Sequence, residues 1–276
     1  MHVRNTHAIF SVSWRYAALF STALFLLAPS TQLQAQNVLV YDNTTTPTGT
    51  FSNGGANDNN AGPGVAITKL VADDIHVATS VAGMSVSNYG VFIANNDPTA
   101  FSARVRIRFW LADGPSGGPG TFVTGVTFDP ITFAPNSQQF VFGTLRLGLF
   151  VLPANGLFWA GVTFDNGTSI APDGITPLPS SATTAQLNKL GEGLYDPPTI
   201  GSSTDEAFST TSAGSFFGVN NPSGTIFVSP FAGNPVANIG WQFQVYAVPE
   251  PSTYLSLALG GALLVFGAKR RGRLRK

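Results

Sequence analysis

The stretch RVRIRFWL at residues 104–111 alternates strictly in character along its length. Val105, Ile107, Phe109 and Leu111 share one face, while Arg104, Arg106, Arg108 and Trp110 share the other. A period of two belongs to a strand with one face buried and one wet, because successive side chains leave a pleated backbone on opposite sides. Residues 138–150 alternate likewise, with a phase shift near Gly143 that predicts a bulge. Residues 239–246 place Trp241, Phe243 and Val245 together. Further strands are predicted at 38–41, 65–71, 75–78, 84–86, 89–93, 122–128, 157–164 and 225–228. Glycine- and proline-rich turns separate them, as at 113–120, 153–156 and 220–224. Only residues 185–190 predict a helical turn. Many short strands between such turns predict an all-β fold, a single jelly-roll-like β-sandwich domain over residues 36–247. Its wet face is expected to carry Arg104, Arg106 and Arg108.

The sequence FVTGVTFD at 122–129 returns as FWAGVTFD at 158–165, with unlike flanks. That predicts two equivalent strands, each ended at a turn by its aspartate, rather than a solenoid repeat. Regions 44–64, 166–184 and 196–212 read as loop-dense. The opening VLVYDN at 38–43 and the closing WQFQVY at 241–246 resemble the first and last strands of jelly-roll-like modules found ahead of bacterial surface anchors.

There is no cysteine, so disulfides, thiol catalysis and thiolate metal sites are excluded together. A hydrophobic content of 43% over so long a body suffices for a core without them. The zero net charge conceals an uneven distribution. Residues 36–248 hold six basic side chains against thirteen acidic ones, while both flanks are basic. An acidic body argues against nucleic acid as a partner, since phosphates need clustered Lys and Arg.

The first 35 residues combine a basic head, an apolar run at 16–28 and small residues before a polar start. This composition predicts a cleaved secretory signal peptide, cut after Ala35. At the other end, Pro249, Glu250 and Pro251 precede an uncharged run at 254–268 and a basic tail: Lys269, Arg270, Arg271, Arg273, Arg275 and Lys276. A helix over that run is about 22 Å long, short of the roughly 30 Å hydrocarbon layer, so snorkelling side chains must complete the span. The basic tail then stays cytoplasmic and the body faces outward. In this order the three parts, over residues 248–276, resemble the PEP-CTERM sorting signal of Gram-negative bacteria. The resemblance implies processing near the motif by exosortase, a membrane-embedded peptidase, transient anchoring in the inner membrane, and a setting of exopolysaccharide biosynthesis. It places the product at the cell surface or outside the cell.

Candidates for chemistry in the body are few. His76 is its single histidine and alternates onto one face with Asp74, which predicts a solvated pair rather than a catalytic triad. Aspartates at turns have structural work there, so no catalytic residue is assigned and no enzyme is expected. The loop NGGANDNN at 53–60 is rich in oxygen ligands and holds one carboxylate, Asp58, a weak calcium candidate; no other cofactor or metal is expected. Trp110, Arg106 and Arg108 share one strand face, which suits stacking on a sugar and hydrogen bonding to an acidic polymer. The competing expectation packs Trp110 under a loop and pairs the arginines with aspartates. Three functions stand open: a non-catalytic surface or matrix protein, a carbohydrate-binding module engaging exopolysaccharide, and a polysaccharide hydrolase or lyase. An exposed aromatic strip would favour the second, and a cleft with paired carboxylates the third.

Overall fold

The computed structural model describes residues 37–51, 56–57, 65–204, 206–210, 225–228 and 238–246, all within one compact unit, Gln36–Val248. The signal peptide, Asp58 and residues 248–276 lie outside the described residues.

The first sheet has seven strands. β1 (Asn37–Asp42) lies against β17 (Trp241–Tyr246), and β17 against β6 (Val86–Asn95). β9 (Ser137–Thr144) covers the other side of β6. β13 (Leu190–Tyr195) pairs with the end of β6, with β2 (Pro47–Phe51) and with β16 (Asn238–Ile239). The second sheet has eight strands. In space they run β15 (Thr225–Val228), β14 (Glu206–Ser209), β5 (Val71–His76), β10 (Leu157–Asp165), β7 (Phe101–Leu111) and β8 (Phe122–Phe133). Short β4 (Ile67–Thr68) and β3 (Ala56–Asn57) extend it beside the end of β10. A two-stranded ribbon of β11 (Thr168–Ile170) and β12 (Pro177–Pro179) stands apart. Among the described residues every strand pairing is antiparallel, and the chain crosses repeatedly between the layers, as in an all-β sandwich.

Aromatic side chains join the two layers. Phe109 of β7 lies 5.1 Å from Tyr89 of β6, and 6.3 and 5.8 Å from Trp241 and Phe243 of β17, ring centre to ring centre. Phe158 of β10 meets Phe243 edge to face at 5.1 Å. Such pairs contribute about 0.5–1.5 kcal/mol each beyond the burial of their area. Val105, Ile107 and Phe109 point inward as alternation predicts, and so do Trp241, Phe243 and Val245.

The internal echo has a structural meaning: its two copies flank the same strand. Val126 and Val162 both stand opposite Ile107, and Gly125 and Gly161 both stand opposite Arg108. Asp165 ends β10 as expected, but Asp129 does not end β8. It sits inside that strand, where the register shifts between Ala103 and Val105. The bulge expected near Gly143 is likewise absent from the β6–β9 pairing, which runs unbroken to Thr144; the change of phase there is the end of the strand. The helix is α1 (Thr184–Leu187), started one residue early because Thr183 and Gln186 form a reciprocal capping box. Among the described residues no helix is long and apolar enough to cross a membrane. The helix expected over 254–268 lies outside them.

Candidate functional site

The strand face predicted to be wet is closed at Arg108 and Trp110, while Arg104 and Arg106 stay half-buried. Trp110 and Arg108 are fully buried. A second apolar cluster of Leu70, Ala72, Trp110, Trp159 and Phe208 covers this outer side of the second sheet, with Phe122 against it. Arg108 fits because its two cross-strand neighbours are glycines; a Cβ on Gly125 would come within 2.9 Å of the Arg108 Cγ. Its Nη2 donates to Thr163 Oγ1 at 2.6 Å, and its guanidinium carbon lies 5.7 Å from the Trp110 ring centre. Burial, helped by neighbouring Arg106, lowers the Arg108 pKa to about 9. Arg104 is held by Asp165, to which its Nε donates at 2.7 Å. The packing alternative is therefore what the fold adopts for Trp110 and Arg104, and Trp110 offers no ring face for stacking.

His76 and Asp74 do share a face, with Nε2 2.6 Å from Oδ2. Asp74 is buried rather than solvated. Its carboxylate accepts from the Ser203 hydroxyl at 3.0 Å and from the Thr204 backbone N–H. The acid thus stands between serine and histidine. Nucleophilic activation needs the imidazole in that place, so this order gives a latch between β5 and the 203–204 segment. Asp73 next to it is fully buried and accepts from the Ile239 N–H at 2.7 Å, which ties the second sheet to β16. Burial, with the charge of Asp74 adding, pushes the Asp73 pKa well above the usual carboxylate range. One hydroxyl, that of Ser203, bridges both acids. Among the described residues no three acidic or histidine side chains are grouped to hold a metal.

The outer side of the first sheet is different. Alternation along β9 turns Val141 inward and leaves Phe140 half-buried and Phe142 68% exposed. Alternation along β17 leaves Gln242 and Gln244 outward, and along β6 it leaves Asn88 and Phe92 outward. Rings and amides therefore lie side by side. Tyr195, Phe92 and Phe140 follow one another with ring centres 5.0 and 4.9 Å apart. The Tyr195 hydroxyl donates to Gln138 Oε1 at 2.8 Å, and Asn88 Nδ2 donates to Gln244 Oε1 at 2.8 Å. The Phe140 ring lies over Gly90, where a Cβ would stand 2.1 Å from its Cζ. A depression of about 260 Å³ opens between Asn88, Phe140, Phe142, Thr144, Gln242 and Gln244. No charged side chain occurs on β6, β9 or β17. Apolar ring faces beside fixed amides match a neutral sugar, which presents C–H on its faces and hydroxyls at its rim.

Sequence reasoning missed this face because alternation over residues 138–150 separates two sides of β9, both carrying apolar residues, without saying which one meets water. The signal was available in the outward glutamines of β17.

Residues 247–271 match the family model of the PEP-CTERM protein-sorting motif. No curated protein and no solved structure matches the chain.

Proposed function

We propose that this chain is a non-catalytic surface or matrix protein, delivered by exosortase processing of its C-terminal signal. The motif match at residues 247–271 carries this reading, since that motif marks exported, surface-sorted proteins. The body supplies a β-sandwich to be displayed, in which Asp73, Asp74 and His76 are engaged in contacts that join segments of the fold. Deleting the exosortase gene of the native host tests the reading. The protein should then accumulate in the inner membrane at its unprocessed mass; unchanged delivery to the surface would refute it.

A second reading, a carbohydrate-binding module, is favoured by the ring-and-amide face of β6, β9 and β17. It takes the place of the sugar site at Trp110, Arg106 and Arg108. The absence of charge on those strands suits a neutral polymer better than an acidic one. Affinity electrophoresis in gels cast with the host's own exopolysaccharide tests it: retardation that Phe142→Ala abolishes supports the reading, and free mobility of the wild type removes it.

A further inference from the structure

Both ends of the described chain leave the domain side by side, since Asn37 is the cross-strand partner of Tyr246. Eight residues lie between the apolar run of 16–28 and Asn37, and seven lie between Tyr246 and the apolar run of 254–268. Seven residues reach at most about 25 Å when fully extended. The end of the sandwich bearing Asn37 and Tyr246 is therefore the end from which the chain leads to the downstream run.

That end carries an unusual loop. Between β9 and β10, Leu145 and Phe150 are buried, but Leu147 is 73% exposed, Leu149 47% and Val151 44%. The loop is fixed in place against the departing strand. The Tyr246 hydroxyl donates to the Leu145 carbonyl at 2.8 Å, and the Tyr246 N–H donates to the Ser85 carbonyl at 3.0 Å. The Gly148 N–H in turn donates to Ser85 Oγ at 3.1 Å, and Val151 bridges to Ser85. Segments 77–85 and 145–156 hold no acidic residue and one basic one, exposed Arg146, in a body that is otherwise acidic. Three aliphatic side chains standing out beside one cation suit the boundary between acyl chains and anionic headgroups.

We infer that the 145–152 loop is a membrane-contacting surface: Leu147, Leu149 and Val151 enter the lipid interface, and Arg146 meets a headgroup phosphate, while the tail at 254–268 is embedded. The inference rests on the reading of that tail as a membrane anchor. Lipid contact would seat the domain in one orientation and hold the Pro249–Pro251 segment near the bilayer surface where a membrane-embedded peptidase works.

The chain has no cysteine, so a single introduced one gives a clean reporter. Full-length Leu147→Cys, Leu149→Cys, Ile175→Cys and Val265→Cys variants are each labelled with an environment-sensitive nitrobenzoxadiazole dye. They are then reconstituted into vesicles of phosphatidylethanolamine and phosphatidylglycerol. Ile175 is 81% exposed and serves as the site that should stay in water. The expected result is blue-shifted, brightened emission at 147, 149 and 265, and aqueous emission at 175. An aqueous signal at 147 and 149 with an apolar one at 265 overturns the loop contact and leaves the anchor standing. An aqueous signal at 265 overturns the anchor and the contact together.

Discussion

The two outer faces of the sandwich are built from the same alternating strands and end in opposite states. On the second sheet, Trp110 and Trp159 are buried in a second apolar cluster with Phe208 and Leu70, and Arg108 is sealed between Gly125 and Gly161. On the first sheet, Phe140, Phe142, Gln242 and Gln244 stay open around a depression. Period two assigns residues to a common side of a strand; whether that side meets water depends on what other segments bring to it.

The largest test of this contrast is truncation of Trp110. Its burial predicts that Trp110→Ala destabilises the domain by about 3–5 kcal/mol, through lost transfer energy and an unfilled cavity. Chemical denaturation of residues 36–248 would measure it, and a loss below about 1 kcal/mol would mean that the face is open after all.

Next comes a buried acid behind the open face. Glu192 of β13 is fully buried and alternates onto the inner side with Leu190 and Leu194. Desolvation raises its pKa from 4.5 to about 8. The folded state therefore holds a proton that the unfolded state has released, and stability falls as pH rises between about 4.5 and 8. The loss is on the order of 3–5 kcal/mol across that window. Glu192→Gln should reduce the slope in denaturation series at successive pH values, leaving the part that buried Asp73 contributes in the same direction; an unchanged slope would assign the dependence elsewhere.

A smaller effect separates two glycines. A Cβ on Gly161 would meet Ala72 Cβ at 2.8 Å, Leu70 Cδ1 at 2.9 Å and the Val71 carbonyl at 3.0 Å, all inside the closed face. Gly161→Ala should cost about 1–3 kcal/mol by overpacking. In Gly90→Ala the three atoms nearest the new methyl all belong to the half-buried Phe140 ring on the open side, so the ring should lift at a lower cost. Equal losses at the two sites would erase the distinction between the faces.

The smallest expected change in stability is at Phe142. Phe142→Ala should alter stability by less than about 0.5 kcal/mol, as an exposed truncation does. If the face binds a neutral glycan, the same variant should weaken binding about tenfold, roughly 1.4 kcal/mol by calorimetry.

Strand identity was legible wherever alternation was strict. β7 and β17 follow their sequences, and β10 and β8 follow the echo that makes them twin neighbours of β7. β13 was not legible, because Leu-Gly-Glu-Gly-Leu-Tyr at 190–195 lacks β-branched residues and its strand exists through pairing with β6, β2 and β16. β2 and β14 hid in segments read as loops, β2 because Pro47 and Gly49 read as turn residues and β14 because it is only four residues long. The burial of Trp110 was not legible because its cover comes from distant segments, Leu70 and Phe208, and local pattern cannot report them. The sorting motif was legible, since its signature lies in the order of short segments rather than in a folded surface, and the family model matches residues 247–271.

That signal supports the account's central claim, export followed by C-terminal processing, and intact mass of the protein purified from its native host tests it most directly. The account predicts a product lacking about the first 35 residues and the segment beyond the Pro249–Pro251 motif. A mass that retains Arg275 would contradict it.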